Sequence, residues 1–344
     1  MCSLRFKFAA AFLAFLLLPA LGCRAQSTRP AQPRSVNVLA MGDWGTHATT
    51  QRAVAKAMAT YVKNSGRRFD GMLLLGDNTY IKPGELTPRI WQSMFEETYD
   101  ATVLDFPFYA ALGNHDYSNK TLDFQLQYAR QNPQSRWKMP SKWYRLDLPS
   151  EKPLVTVFVL DSCKDAMTPQ EWGSQRAWLE GQLWTPRARW TVMTAHHSPF
   201  SNGDHGDISP LQTEWGPLLK KYKVDFYIAG HDHDLQHLEI DGWKTSFILA
   251  GGGGAHVRPM RNDKRGMFSR SAYGFADFQF TDEIARCRLV GSDAAVLHEF
   301  TRAKDGAVTL NFTTKSDPAI PRTPRSINRP DVPASGPATQ PAGE

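Results

Sequence analysis

VNVLAMGDWG, residues 36–45, is an apolar run that stops at a carboxylate. Val36, Val38, Leu39, Ala40 and Met41 leave almost no polar face, which reads as a strand covered on both sides. Gly42 and Gly45 bracket Asp43 and Trp44 and let the chain turn sharply, so that Asp43 points out of the sheet where the strand ends. Working outward, the same grammar returns four times. GMLLLGDNTY (71–80) presents Asp77 and Tyr80, and FYAALGNHD (108–116) presents Asn114. TVMTAHHSP (191–199) presents the neighbours His196 and His197, and FYIAGHDH (226–233) presents His231 and His233. A lone Asp, Asn or His at a loop start is usually a cap or turn former. Five such clusters, each after a strand, are hard to obtain by chance, and strand ends are where α/β proteins gather reactive groups. The donor types predict a two-metal hydrolytic site, in which a carboxylate with two oxygens can bridge the ions. His231 and His233 would diverge from an extended segment, so a bend at Gly230 is required for both to serve one site.

The remaining pattern extends this frame. Further strands are expected at 142–148, 154–160, 245–249, 274–280, 285–290 and 308–312, and helices at 47–63, 88–98, 169–183 and 211–221. Pro169 suits the first turn of its helix. The first part alternates strand and helix and the last part is mostly strand. The fold class is therefore α/β, a four-layer α/β/β/α sandwich of two mixed β-sheets flanked by helices. One catalytic domain is expected over 36–312.

The ends differ in character. Arg5 and Lys7 precede an apolar stretch from Phe8 to Leu18, then Pro19, Ala20, Leu21 and Gly22, the layout of a secretory signal peptide over 1–25. Eleven apolar residues are too few to span a bilayer, which needs ~20. Cleavage after Ala25 is one reading; Leu21-Gly22-Cys23 also resembles a lipoprotein signal, with Cys23 as a lipid anchor and the chain's one expected membrane contact. Either way the protein is exported, to the periplasm, the cell surface or the medium. Residues 313–344 hold seven prolines and few sizeable apolar side chains, which reads as a disordered tail. The net charge of +6 comes from these ends, because 36–312 carries 31 basic and 31 acidic residues. No nucleic-acid partner is expected from so balanced a domain. Cys163 and Cys287 are either a disulfide or two buried thiols, and no CxxC spacing suggests a zinc cluster.

Taken together, the five blocks resemble the metallophosphoesterase (calcineurin-like) superfamily, from about Val36 to at least Gly254. GDWG, GDNTY and GHDH followed by Leu235-Gln236 resemble the small, tartrate-resistant-type purple acid phosphatases. Most of the superfamily has His where this chain has Gly45, and Tyr80 is the residue that purple acid phosphatases use in its place.

The resemblance implies that Asp43, Tyr80 and His233 bind one metal ion, that Asn114, His196 and His231 bind the other, and that Asp77 bridges them. Its nine-residue step to a second histidine fits His196 with His205 and so prefers His196 to His197. His115 and His205 are implied beside the substrate as catalytic residues, with Asp116 orienting His115. The implied cofactors are Fe(III) plus a divalent ion (Fe, Zn or Mn). The tyrosine supports this, since a phenol of pKa ~10 binds divalent ions weakly but is readily deprotonated by a trivalent one. The implied activity is hydrolysis of phosphate monoesters on small phosphorylated substrates by a metal-bound hydroxide. A phosphodiesterase or nucleotidase of the same architecture is the enzymic alternative, and a metal-storing or surface-binding protein the non-enzymic one. Outside the site, His237 reads as a surface or packing residue, GGGGAH (251–256) as a turn near the pocket, and Trp137, Trp143, Trp172, Trp178 and Trp184 as core or sheet cover.

Overall fold

The computed structural model describes residues 34–262 and 265–320. The N-terminal half runs β1 (Ser35–Met41), α1 (Thr49–Ser65), β2 (Gly71–Leu75), α2 (Pro88–Trp91), β3 (Phe108–Ala111), α3 (Asn114–Ser118), α4 (Leu122–Gln131), β4 (Trp137–Lys138), β5 (Tyr144–Leu148) and β6 (Val155–Val159). It continues with α5 (Pro169–Trp184), β7 (Trp190–Thr194), α6 (Ser209–Glu214), α7 (Gly216–Lys221), β8 (Phe226–Ala229), β9 (Leu235–Glu239) and β10 (Ser246–Ala250). The chain then turns to strands alone: β11 (Phe268–Arg270), β12 (Gly274–Thr281), β13 (Ile284–Gly291), β14 (Val296–Ala303) and β15 (Val308–Thr313).

These strands form two mixed sheets, an eight-stranded one of order β15-β14-β13-β12-β1-β2-β3-β4 and a seven-stranded one of order β11-β9-β10-β8-β7-β6-β5. In the first, β1 to β4 are parallel and β12 to β15 antiparallel. In the second, β6, β7, β8 and β10 are parallel and β5, β9 and β11 antiparallel. Three apolar layers explain why the parallel strands lack a polar face. Val36, Val38 and Ala40 of β1 meet Val157, Val192 and Ile228 between the sheets. Leu39 and Met41 turn the other way, toward Val54 and Met58 of α1. On the far side Phe158, Met193 and Tyr227 pack on Leu179 of α5 and Leu218 of α7. The four-layer α/β/β/α arrangement expected from the sequence is thus present.

Several local expectations need correction. The helix expected over 211–221 is two helices, because Pro217 lacks an N–H and cannot continue α6. Trp184, expected as cover, is 79 % exposed at the last residue of α5. Cys163 and Cys287 are buried free thiols, not a disulfide. Order also persists past residue 312, where the tail was expected to begin. Beyond β15, Asp317 N–H donates to Ser269 O at 2.9 Å and Ile320 N–H to Met260 O at 2.8 Å, so this stretch is tied to the domain. The signal segment with Cys23, and the tail from 321 onward, lie outside the described residues. No helix among the described residues is long and apolar enough to cross a membrane.

Candidate metal centre

The parallel strands β1, β2, β3, β7 and β8 all end at the same edge of the sandwich, and their C-terminal loops meet there. Asp43 follows β1 and Asp77 follows β2; Asn114 opens α3 after β3; His196 follows β7 and His231 follows β8. Asp43, Asp77 and His231 hold positive φ angles of 59°, 50° and 69°. Non-glycine residues adopt this region at a cost, and such strain concentrates at functional sites. Neighbouring loops tie them together: His231 N–H donates to Asp43 Oδ2 and His115 N–H to Asp77 Oδ1, both at 2.8 Å.

The donor atoms form two groups that share one oxygen. In the first, Tyr80 Oη lies 3.2 Å from Asp43 Oδ1, 3.1 Å from Asp77 Oδ2 and 3.2 Å from His233 Nε2. In the second, His196 Nε2 lies 3.1 Å from Asn114 Oδ1, 3.2 Å from His231 Nδ1 and 3.4 Å from Asp77 Oδ2. Two ligands at right angles and ~2.1 Å from one ion stand about 3 Å apart, so these spacings fit edges of metal polyhedra. The lone pairs agree. His196 Nδ1 is 2.9 Å from Leu75 O and His233 Nδ1 2.7 Å from His256 O, so each ring donates to a carbonyl and turns a bare Nε2 inward. In the second group Nε2 then faces the Asn114 and Asp77 oxygens, acceptor against acceptor, an arrangement that suits a cation, while in the first the Tyr80 hydroxyl donates to the Asp43 and Asp77 carboxylates.

Electrostatics point the same way. Burial and the Asp43 and Asp77 carboxylates push the Tyr80 phenol far above its ordinary value. Burial would lower His196, yet Asp77 and Asp43 raise it to about 10. Burial would likewise raise Asp77, but the His196 charge holds it below the usual carboxylate range. Burial, with the neighbouring imidazoles of His197 and His196, lowers His231. The bare cluster therefore binds protons where a metal would put positive charge.

Close packing builds the cluster. A Cβ on Gly45 would lie 1.9 Å from Asn78 O, so the first loop passes against the second with no room for a side chain. Across that contact Tyr80 N–H donates to Gly45 O at 2.7 Å. Trp44 Nε1–H donates to Asn78 Oδ1 at 3.1 Å, and its ring sits among Trp91, Phe95, Tyr99 and Trp137. The glycine turn expected at 251–254 does lie at the site, with Gly253 N–H and Ala255 N–H donating to Gly42 O and Asp43 O.

His115 and His205 border the cluster from two sides. The His115 ring is 4.4 Å from that of Tyr80, and the His205 ring stacks on His231 at 3.9 Å. Asp116 does not orient His115, as had been expected. Its carboxylate accepts from Gly113 N–H, Asn78 N–H and Gln125 Nε2, so it ties the β2 and β3 loops together. Burial and the Asp77 charge raise it to about 7. Sequence reading passed over Arg258, whose guanidinium contacts His205 Nε2 and whose N–H donates to His233 O. Desolvation lowers His205, against the pull of Asp232 and with the push of Arg258. His197 also borders the cluster, its Nδ1 2.9 Å from Ser162 Oγ. An arginine in an irregular loop carries no periodic signal, so only the folded chain reveals it.

The calcineurin-like phosphoesterase family model matches residues 36–235. Tartrate-resistant acid phosphatase type 5 of Sus scrofa is 32 % identical over 265 residues, covering 70 % of this chain and 76 % of that protein. Purple acid phosphatase 17 of Arabidopsis thaliana is 28 % identical, over 78 % of this chain and 86 % of its own. Among solved structures, GAP50, the anchor in the inner membrane complex of Plasmodium, superposes with a TM-score of 0.68 at 22 % identity, over 89 % of this chain and 99 % of that one, which is a likeness of fold. The chain belongs to the calcineurin-like phosphoesterase family, as an enzyme similar to its tartrate-resistant and purple acid phosphatases.

Proposed function

We propose that this protein hydrolyses phosphate monoesters at a binuclear centre of Fe(III) and a divalent ion (Fe, Zn or Mn). The observation that carries the reading is Asp77 Oδ2, which stands 3.1 Å from Tyr80 Oη in one donor group and 3.4 Å from His196 Nε2 in the other. Asp43, Tyr80 and His233 would hold the trivalent ion, Asn114, His196 and His231 the divalent one, and Asp77 both. A trivalent ion is favoured because burial and the carboxylates around Tyr80 oppose its ionisation and a high opposing charge is needed to reverse that. When bound, the ion pair activates water near neutral pH and neutralises charge on the phosphoryl group.

The chain's own groups orient the substrate. Leu75 O and His256 O fix the His196 and His233 rings. His115 and His205 flank the cluster, where one would hold phosphoryl oxygens and the other deliver a proton to the leaving oxygen. Arg258, in contact with His205, adds a fixed cation that favours a doubly charged monoester over a singly charged diester. Export on residues 1–25 completes the reading, and mass spectrometry of the mature chain tells cleavage after Ala25 from lipidation at Cys23.

A substrate panel tests the activity. Metal-loaded protein is expected to hydrolyse p-nitrophenyl phosphate faster than bis(p-nitrophenyl) phosphate, and Asp77→Asn to lose at least about 100-fold in kcat. If His205 is the acid, His205→Ala loses far more kcat on alkyl phosphates than on p-nitrophenyl phosphate, whose leaving group needs no proton. Preference for the diester would replace the monoester reading, and equal losses on both leaving groups would remove His205 from the acid role.

A further inference from the structure

Beside the metal centre lies a cavity of about 550 Å³ whose wall includes Asn114 and His197. Asn114 belongs to the second donor group, and the His197 ring is 4.2 Å from that of His231. A phosphoryl group held at the donors would therefore have this cavity as its neighbour. Its volume falls within the ~300–1,000 Å³ of sites that enclose small organic ligands.

The lining has a definite chemistry. Ala166, Ile208 and Leu211 give apolar wall, from the turn before α5 and the start of α6. Tyr117 adds its ring, since its hydroxyl already donates to Asp161 Oδ2 at 2.5 Å. Lys164 also lines the cavity, but Glu214 Oε1 holds its ammonium at 2.5 Å, and Trp172 Nε1–H donates to the other oxygen of that carboxylate. Asp165 contributes a carboxylate to the wall. The lining is thus mainly apolar and ring surface with one acid; its lysine is already neutralised, and its hydroxyls are engaged, Ser162 Oγ with His197 Nδ1 and Ser118 Oγ with His115 O. A leaving group with a second phosphate or a carboxylate would meet Asp165 and find no unspent cation in this wall.

Resting on the monoesterase reading above, we infer that this cavity binds the alcohol part of the substrate and selects uncharged, ring-bearing alcohols over small polar or anionic ones. Ala166, Ile208 and the Tyr117 ring are the specificity-determining residues. Hydrolysis then splits the bond between phosphorus and the alcohol oxygen, water supplies the incoming oxygen, and the alcohol takes up a proton before leaving the cavity.

The test compares 1-naphthyl phosphate with O-phosphoserine on the metal-loaded full chain. The wild type should favour 1-naphthyl phosphate in kcat/KM, and Ala166→Trp, which fills the cavity, should cut that preference about 10-fold. Ile208→Asp should cut it in the same direction. An unchanged preference in both variants overturns the inference. A second readout needs no turnover: 1-naphthol, the product alcohol, should bind the wild type and lose about 10-fold in affinity in Ala166→Trp. If neither phosphate is hydrolysed yet 1-naphthol binding is lost in the variant, the phosphatase reading fails and the cavity stands. If 1-naphthol does not bind, or binds both proteins alike, the cavity assignment fails.

Discussion

Gly45 and Tyr80 show how one position constrains another. The glycine leaves room for the Asn78 carbonyl, and its own carbonyl receives the Tyr80 N–H, so the phenol reaches the cluster because no side chain stands at 45. Gly45→Ala should lower stability by on the order of 3 kcal/mol, since a Cβ against a backbone oxygen forces the loops apart. Calorimetric unfolding with a phosphatase assay measures both effects; a variant with unchanged Tm and activity would contradict this packing. The side chains that the fold gathers here were legible as candidates in the sequence because strand ends repeat a pattern. Asp116 was not, because what it binds depends on which loop crosses its own: it points at Asn78 and Gln125, on other segments, and not at its neighbour His115. His196 and His197 were likewise separated by family likeness and not by their own spacing. In the fold, the former turns Nε2 to the donors and the latter holds Ser162.

Continuous apolar runs and helices with a clear start signal were readable, and some elements with mixed faces were not. β2 occupies the expected residues, Gly71–Leu75, and α5 starts at Pro169 with the Thr168–Glu171 capping box at its head. No element was expected over α4 or β14, since LDFQLQYARQ and VLHEFTRA mix charged residues with apolar ones. β14 brings His298 from one sheet to His237 of the other, with Nε2 and Nδ1 2.9 Å apart. Burial, with His237, lowers His298 to about 3, and burial lowers His237 as well. Glu239 faces the far nitrogen of His237 at 2.8 Å, and the Arg302 charge also acts on that ring. An ordinary imidazole titrates at ~6.5, so between about pH 6.5 and 3 the unfolded chain binds more protons than the folded one. The contribution is complete above that window and is lost as pH falls through it, at up to about 1.4 kcal/mol per pH unit. His298→Phe should therefore flatten the fall of Tm between pH 6.5 and 4. An unaltered slope would show that the pair does not govern acid stability.

At the scale of the whole molecule, two sheets of opposite character solve one problem. Parallel strands bring five loops to one edge, and the antiparallel β12 to β15 extend the first sheet behind them. Alternation of strand and helix announced the first feature, and the strand-rich C-terminal third the second. The reach of the ordered chain past residue 312 was hidden, because single backbone hydrogen bonds such as Asp317 N–H to Ser269 O leave no trace in composition. The most direct test of the central claim is the visible absorption spectrum of the purified, untagged protein, taken with its metal content. The account predicts two ions per chain, one of them iron, and a broad band in the purple region that disappears in Tyr80→Phe. A colourless protein that holds two zinc or manganese ions would contradict the tyrosinate–Fe(III) site, and a protein that holds fewer than two ions when fully active would contradict the binuclear centre itself.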